Sequence, residues 1–321
     1  MAMTLTIGFS SHRPETLPLA ETAMAEHDHI VIEEPSTQEF SRMLVGRLSV
    51  DDYLLTAEYE YPAFAAAACR MLRRLNNAGK QIHLCEPFLA RLITIHEHFG
   101  EGRPPSEIVH DEQLGPVYRA EREATGRLLT FYNAAAAGEF DHMVEAACAF
   151  AAADAARFAL RDRLRARSMA RLIADLAGKV YVEAGYLHLR LLRELRRQLS
   201  PRPSIRPLYL LGDIYRAAGH GRHLFNPGDL LTLALIFGRP PVIERQHLLA
   251  ARSLVYNQLV VKEEISPGDD PYPDARDDLA VIRYVNRLSL DDCRRLYGRI
   301  AGMAPNFARQ AVGGLPAIGL I

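Results

Sequence analysis

The pattern of apolar and polar positions predicts five short strands, and helical sequence follows each of them. The predicted strands lie at about residues 3–8, 29–33, 81–85, 179–184 and 206–211. Val180, Tyr181 and Val182 have the β-branched and aromatic character that a buried strand favours, and the leucines after Gly185 then recur at helical spacing. Because strands that alternate with helices form parallel sheets, the predicted fold class is α/β, with a mainly parallel sheet flanked by helices.

The sequence between the third and fourth predicted strands carries no strand pattern. Residues 88–176 show helical periodicity instead, and Pro116 is the last proline among them. We therefore predict an α/β core over residues 1–212 that contains a large helical insertion at about 88–176. Residues 213–321 are predicted to form a helical C-terminal region packed on that core. The last twenty residues are small and apolar and support no assignment.

Composition and charge narrow the classes of function. The chain has 321 residues, 49% of them hydrophobic, and a formal net charge of −1. A near-neutral protein has no overall field that attracts a phosphate backbone or an anionic membrane, so neither is a predicted partner. No apolar run is long enough to cross a membrane, and no basic leader precedes the first strand, which predicts a cytoplasmic protein. The four scattered cysteines are interpreted as core thiols.

Ionisable residues stand at the ends of the first four predicted strands. They are His12 after the first strand, Glu33 and Glu34 after the second, Glu86 after the third, and Glu183 with His188 at the fourth. Parallel strands joined by right-handed crossovers end at one rim of the sheet, so these side chains are predicted to meet there. Histidines and carboxylates that meet can bind a divalent metal or transfer protons. The alternative is that they cap the helices at these turns, where the helix dipole favours glutamate.

Two neighbouring glutamates and one histidine allow sharper expectations. Side chains alternate along a strand, so only one of Glu33 and Glu34 is expected to approach His12 for a shared metal or a hydrogen bond. His188 lies three residues after Gly185, in the predicted first turn of a helix, where free N–H groups and the helix dipole disfavour a charged ring. We therefore expect His188 to be a neutral metal ligand or base near neutral pH.

Other polar clusters are weaker candidates. His96 and His98 are two residues apart and lie on different faces of a helix, so they do not form a helical zinc pair. The glycine-rich, histidine-containing stretch 220–223 is interpreted as a solvated loop. The aspartate-rich stretch that begins with the loop 266–274 lacks calcium-loop spacing and is interpreted in the same way. Ser10 and Ser11 lack the spacing of a nucleophile elbow.

Four short motifs occur together in this chain. They are the stretch from Gly8 to His12, the glutamates Glu33 and Glu34, the segment from Arg165 to Ala170, and the turn from Gly185 to His188. Together they resemble the superfamily that contains TraB, Tiki, ChaN and the erythromycin esterases. The likeness covers about residues 3–40 and 160–200. The first motif has esterase-like spacing, with Phe9 where the esterases have a glutamate, and the turn before His188 has the spacing of Tiki and ChaN.

The resemblance implies an α/β core with a site at the rim of the sheet. Such a site is a divalent-metal peptidase in Tiki-like members, hydrolyses a macrolide ester in the esterases, and binds haem in ChaN. The residues that match the family's motifs are His12, Glu33 or Glu34, Arg165 and His188. We accordingly predict a hydrolase of peptidase or esterase type that acts on a small molecule or a peptide.

The resemblance also implies a role for each matching residue. His12, Glu34 and His188 would hold a divalent metal such as manganese, cobalt or zinc, or the two histidines would act as a base, with haem the weaker cofactor. Glu33 or Glu34 would complete the ligand set or move the proton, and Arg165 would steady an anionic intermediate. The alternative function is a protein of the same fold that binds haem, a small molecule or a partner without turnover. A homo-oligomer is compatible with either function.

Overall fold

The predicted strands are all present in the structure, a computed structural model that describes residues 4–56, 59–199, 204–217, 219, 224–265 and 270–315. They are β1 (Thr4–Ser10), β2 (His29–Ile32), β3 (Gln81–Leu84), β4 (Lys179–Gly185) and β5 (Ser204–Tyr209). They form one five-stranded sheet in the order β3-β2-β4-β1-β5, and every strand pair is parallel. The predicted α/β fold class is therefore confirmed.

Helices fill the connections between the strands and the region after them. They are α1 (Leu17–Ala25), α2 (Gln38–Leu44), α3 (Val50–Leu54), α4 (Pro62–Asn77), α5 (Pro87–Gly100), α6 (Leu114–Ala137), α7 (Phe140–Ala174), α8 (Leu189–Gln198), α9 (Leu210–Ala217), α10 (Pro227–Ile236), α11 (Ile243–Leu259), α12 (Pro273–Val285), α13 (Leu290–Ile300) and α14 (Pro305–Val312). Short 3-10 helices occupy Pro14–Thr16 and Pro105–Glu107. The fifth strand ends before its predicted limit because Leu210 already begins α9, and α14 lies in the stretch that the sequence left unassigned. The predicted loop at 220–223 and residues 266–269 of the predicted loop 266–274 lie outside the described residues.

The chain forms two compact units whose boundaries differ from the predicted ones. The first unit is Met1–Gly115 with Leu160–Gly221, and the second is Pro116–Ala159 with Arg222–Ile321. The middle of the predicted insertion therefore groups with the C-terminal helices and not with the sheet. The physical reason is a shared apolar core, in which Met143 and Ala151 of α7 pack in one cluster with Leu249 and Val255 of α11.

The sheet belongs to the first unit and has an apolar core on each face. On one face, Ile30, Ile32 and Tyr181 pack with apolar residues of α1, α2 and α4. On the other face, Val31 and Val182 pack with residues of α7 and α8. Because side chains alternate along a strand, Glu33 continues the face of Val31 and Glu34 continues the face of Ile32. The two neighbouring glutamates thus leave β2 toward opposite sides of the sheet.

The glycine in the middle of β1 is required by packing. Tyr181 of the neighbouring strand β4 is fully buried, with 1% of its surface exposed. A methyl group added at Gly8 would overlap the phenol ring of Tyr181. Gly8 therefore makes room for an aromatic side chain, which gives the first glycine of the recognised motif a structural role.

The structure also bears on the predictions about the cysteines and about membrane-spanning segments. The four cysteines are free thiols, and Cys69, Cys85 and Cys293 are buried while Cys148 is half-buried, in agreement with their interpretation as core thiols. Among the helices that the structure describes, none is both long and apolar enough to cross a membrane.

Candidate functional site

Glu33 is the centre of a buried ion network at the carboxyl rim of the sheet. Its carboxylate accepts a hydrogen bond from the Gly185 N–H at 2.8 Å. It also pairs with Arg161 at 2.9 Å, with Arg165 at 3.0 Å and with the His188 ring at 3.0 Å. Burial alone would raise the pKa of Glu33, but the charges of His188, Arg165 and Arg161 hold it well below the usual range of a glutamate. Glu33 is therefore an ionised anchor and not a group that gains and loses a proton near neutral pH.

Arg165 joins the ends of three strands. Its Nε donates to the carbonyl oxygen of Cys85, just after β3, at 3.0 Å, and its Nη2 donates to the carbonyl oxygen of Glu183 in β4 at 2.6 Å. Its Nη1 pairs with Glu33, which follows β2, and the side chain is fully buried. A guanidinium engaged with the chain in this way has the geometry of a clamp between strands. These contacts show Arg165 holding strand ends together. The predicted role of Arg165 beside an anionic intermediate gains no support from them and stays a prediction.

His188 lies between two carboxylates at the N-cap of α8. Its Nδ1 is 2.5 Å from Asp162 Oδ1, and its Nε2 is 3.0 Å from Glu33 Oε1. Burial favours the neutral ring, but Glu33 and Asp162 outweigh it and raise the pKa of His188 to about 9. The expectation of a neutral ring is wrong, because contacts with two acidic side chains outweigh the dipole of one helix. A protonated imidazole has two N–H donors and no lone pair to offer a metal.

The charges in the network explain the protonation of His188. The carboxylates are Glu33, Glu86 and Asp162, and the permanent cations are Arg161 and Arg165, which pair with Glu86 at 3.3 Å and 3.9 Å respectively. Glu33 contacts one nitrogen of the His188 ring and Asp162 contacts the other, so a charged imidazole lies between two acidic groups. Burying an unpaired charge is strongly unfavourable, so the cluster favours the protonated ring.

Two members of the network, Arg161 and Asp162, were not among the predicted site residues. Both lie on α7, one turn or less before Arg165, which is three residues after Asp162 and four after Arg161. Residues at these spacings share a helix face. The signal in the sequence was a cluster of charges beside Ala166 and Met169, apolar positions that are fully buried in the sheet core.

A cavity of about 150 Å³ adjoins the network at the same rim. Its polar lining includes His12, Glu33, Glu34 and Glu183, and its aromatic wall consists of Phe40, Tyr53, Tyr59, Tyr61 and Phe64. The carboxyl group of Glu34 has no hydrogen-bond or ion-pair partner among the described residues. Burial, together with the nearby carboxylates of Glu183 and Glu33, raises the pKa of Glu34 to about 7. Glu34 thus differs from its neighbour Glu33 both in surroundings and in protonation.

Glu183 connects the cavity to the ion network. Its Oε2 accepts a hydrogen bond from the backbone N–H of Glu33 at 3.2 Å, and its own carbonyl oxygen is held by Arg165. Burial raises the pKa of Glu183, an effect that the nearby His12 opposes. The hydrogen bonds to Glu33 and Arg165 therefore fix the orientation of Glu183, whose side chain lines the cavity.

His12 lies at the cavity and is exposed. Its ring stacks on Phe64, with the ring centroids 5.2 Å apart and an interplanar angle of 22°. His12 lines the same cavity as Glu34, but among the described residues it forms no hydrogen bond with Glu33 or Glu34. The expected hydrogen bond at this position is therefore absent from the described part of the chain, and the nearby ionisable group is Glu183.

The predicted metal ligands do not come together in one group. His188 lies in the ion network, with both ring nitrogens against carboxylates, whereas His12 and Glu34 line the cavity. Within the described ranges, no group of three histidine, cysteine, aspartate or glutamate side chains is arranged to hold a metal ion. The donor set therefore does not fit the predicted metal, which stays a prediction from the resemblance, as does haem.

The fold and rim define an α/β protein with a carboxylate-lined cavity, and a comparison with known proteins adds one relative. An uncharacterized protein from Archaeoglobus fulgidus is 28% identical over 292 residues, which cover 91% of this chain and 97% of that protein. The similarity thus extends over the sequence of both units. No protein-family model matches the chain, and no solved structure matches it. The resemblance to the TraB, Tiki, ChaN and erythromycin esterase superfamily accordingly stays a prediction.

Proposed function

We propose that the protein is a hydrolase whose reaction takes place in the cavity lined by Glu34, Glu183 and His12. The observation that supports this most directly is the placement of Glu34. Its carboxyl group, without a partner in the described chain, lines a concave pocket at the carboxyl rim of a parallel sheet. Ligands of open α/β sheets bind at this rim, and a half-buried carboxyl that forms no hydrogen bond or ion pair with the described residues is suited to a ligand or a proton transfer.

In the proposed reaction, Glu34 transfers the proton. A water molecule attacks the carbonyl carbon of an ester or amide, and one of its protons passes to the Glu34 carboxylate. Glu34 then returns that proton to the leaving oxygen or nitrogen as the carbon–oxygen or carbon–nitrogen bond breaks. Glu183 and His12 orient the water and the polar atoms of the substrate. A carboxyl whose pKa lies near neutrality is suited to both transfers.

The ion network supplies rigidity to this site. Arg165 holds the backbone of Glu183, and the N–H of Glu33 holds the Glu183 side chain, so one cavity carboxylate cannot reorient freely. Groups held before the substrate arrives need no reorganisation during the reaction, which is the usual source of electrostatic stabilisation in enzymes. In this proposal Glu33, Arg165 and His188 position the site, and Glu34 acts on the substrate.

The test is a screen of chromogenic esters, anilides and short peptides with the full chain and its variants. Glu34→Gln should lower kcat by about 100-fold or more for any substrate that the protein hydrolyses, because general acid–base catalysis typically contributes that much. Glu97→Gln, at an exposed position of α5, is the matched control and should leave kcat unchanged. Equal rates for Glu34→Gln and the wild type would remove Glu34 from the chemistry.

Elemental analysis and an absorption spectrum of the purified protein complete the test. Bound manganese, cobalt, zinc or haem would support the cofactor that the resemblance predicts. If nothing in the screen is hydrolysed and the cavity still binds small molecules, the alternative of a binding protein without turnover replaces the hydrolase.

A further inference from the structure

We propose that the cavity binds small organic cations, so that the substrate of the proposed hydrolase carries an amine or quaternary ammonium group that enters the aromatic pocket. That the bound cation is also a substrate rests on the proposed function, whereas the binding of a cation does not. Three features of the cavity support the inference: the acidic groups in its lining, the aromatic rings of its wall and its size.

The charged groups that line the cavity favour a cation. Glu34 and Glu183 lie in its wall, and Glu60 is an exposed lining residue. Among its described lining residues there is no lysine or arginine, and His12 is the one ionisable base. The charge of Glu33, which also lines the cavity, is already matched by the guanidiniums behind it. Arg13, whose guanidinium contacts the Tyr61 ring, is not among the lining residues. An anionic ligand would therefore meet carboxylates without a lysine or arginine in the lining, and a cationic ligand would pair with the carboxylates.

The aromatic wall favours the same class of ligand. The faces of phenylalanine and tyrosine rings are electron-rich and attract ammonium and guanidinium groups. Phe40, Tyr53, Tyr59, Tyr61 and Phe64 all line this cavity. The chain itself shows the preference at one of these rings, because the guanidinium carbon of Arg13 lies 4.4 Å from the centroid of the Tyr61 ring. Aromatic rings combined with carboxylates are the usual means of recognising quaternary ammonium groups.

The size of the cavity limits which part of a ligand enters. A volume of about 150 Å³ is that of engineered cavities that hold a benzene molecule. A trimethylammonium group is of similar size, whereas a macrolide ring or a folded peptide segment is much larger. The group that enters is therefore a small head group, and any larger part of the substrate stays outside.

Calorimetry with two ligands of equal shape and different charge tests the inference. Choline carries the trimethylammonium group, and 3,3-dimethylbutan-1-ol is its neutral carbon isostere. Choline should bind to the full chain about tenfold more tightly than the isostere, or better, because ring faces and carboxylates both distinguish the charged head group. Equal affinities, tighter binding of the isostere, or no binding of either ligand would overturn the inference.

Variants locate the binding. Tyr59→Leu should reduce the preference for choline, since it removes a ring face and keeps an apolar wall. Tyr132→Leu, at an exposed tyrosine of the second unit, should leave the preference unchanged. Equal effects of the two variants would place the binding elsewhere and overturn the inference. Because these measurements do not involve turnover, choline binding with an inactive substrate screen would sink the hydrolase alone, and hydrolysis of neutral substrates without cation preference would sink this inference alone.

Discussion

Replacing His188 with glutamine should destabilise the protein in a manner that depends on pH. The pKa of His188 is raised to about 9 in the folded protein, against about 6.5 for a histidine in an unfolded chain. A raised folded pKa means that the stabilisation is complete below the unfolded value and is lost as pH rises through the folded one. The stabilisation from protonation should thus be roughly 3 kcal/mol near pH 6 and about 1 kcal/mol at pH 8.5.

Glutamine removes this contribution because it remains uncharged at every pH. The free energy of unfolding of the wild type should exceed that of His188→Gln by an amount that shrinks by about 2 kcal/mol between pH 6.5 and pH 8.5. Glu34 in the folded protein and the cysteines in the unfolded chain also titrate in or near this range, but both proteins contain them, so the difference between the two curves cancels their effect. A residual destabilisation at high pH is expected, because Asp162 and Glu33 lose a buried partner.

Urea unfolding followed by circular dichroism over this pH range provides the measurement. The chain contains two compact units, so hydrogen exchange of peptides from β4 and α8 should accompany it to show which transition belongs to the sheet. His96→Gln, at an exposed histidine of the same unit, is the control and should change stability by less than about 0.5 kcal/mol. A difference between wild type and His188→Gln that stays constant from pH 6.5 to 8.5 would refute the charged ring.

Three further predictions concern packing and the network. Gly8→Ala should destabilise the first unit by about 1–3 kcal/mol or more through overlap with Tyr181, whereas Gly100→Ala, where an added methyl meets nothing within 4 Å, should be neutral or slightly stabilising in the same thermal melt. Arg165→Lys should lower the free energy of unfolding by about 3 kcal/mol, since one ammonium cannot replace the fork that joins three strand ends, and Arg163→Lys at an exposed position of α7 should change it little in urea titrations. Cys69, whose pKa burial raises to about 12, should react with a thiol reagent only after denaturation, and rapid modification in the native protein would contradict its buried placement.

The strands were predictable because each has a local signature that tertiary structure did not override. β2 is a short β-branched run closed by glutamates and a proline, and β4 is a buried run closed by Gly185, so both boundaries are marked in the sequence. The rim position of the candidate residues followed from parallel pairing alone. Domain boundaries did not follow, because α6 and α7 show the same helical periodicity throughout. Which of their apolar positions meet the sheet and which meet α11 is a long-range fact that periodicity does not contain.

The protonation of His188 was mispredicted for a related reason. Its local surroundings, a helix start after a glycine, favour a neutral ring, and this was the only information that the nearby sequence supplied. The deciding partners are Glu33, which follows another strand, and Asp162, which lies 26 residues earlier on another helix. Direct contacts with these two acidic side chains in a buried site outweigh a partial charge at a helix terminus. Local sequence thus predicts the direction of a pKa shift only where no residue distant in sequence brings a charge into contact with the group.

Glu33 and Glu34 show where this limit falls for the site itself. They are adjacent residues of one type, and alternation predicts that they face opposite sides of the sheet. Alternation does not predict which side of the sheet faces the arginines of α7. That placement decides the partners and the pKa of each glutamate. Glu33 faces Arg161 and Arg165, so its pKa falls and it becomes an anchor. Glu34 lies half-buried among aromatic rings and near another carboxylate, so its pKa rises toward neutrality, and it forms no hydrogen bond or ion pair with the described residues. Had α7 packed its charged residues on the other face, the same two glutamates would have exchanged roles. The sequence pattern could therefore identify both glutamates as candidates but could not predict which one is paired with arginines.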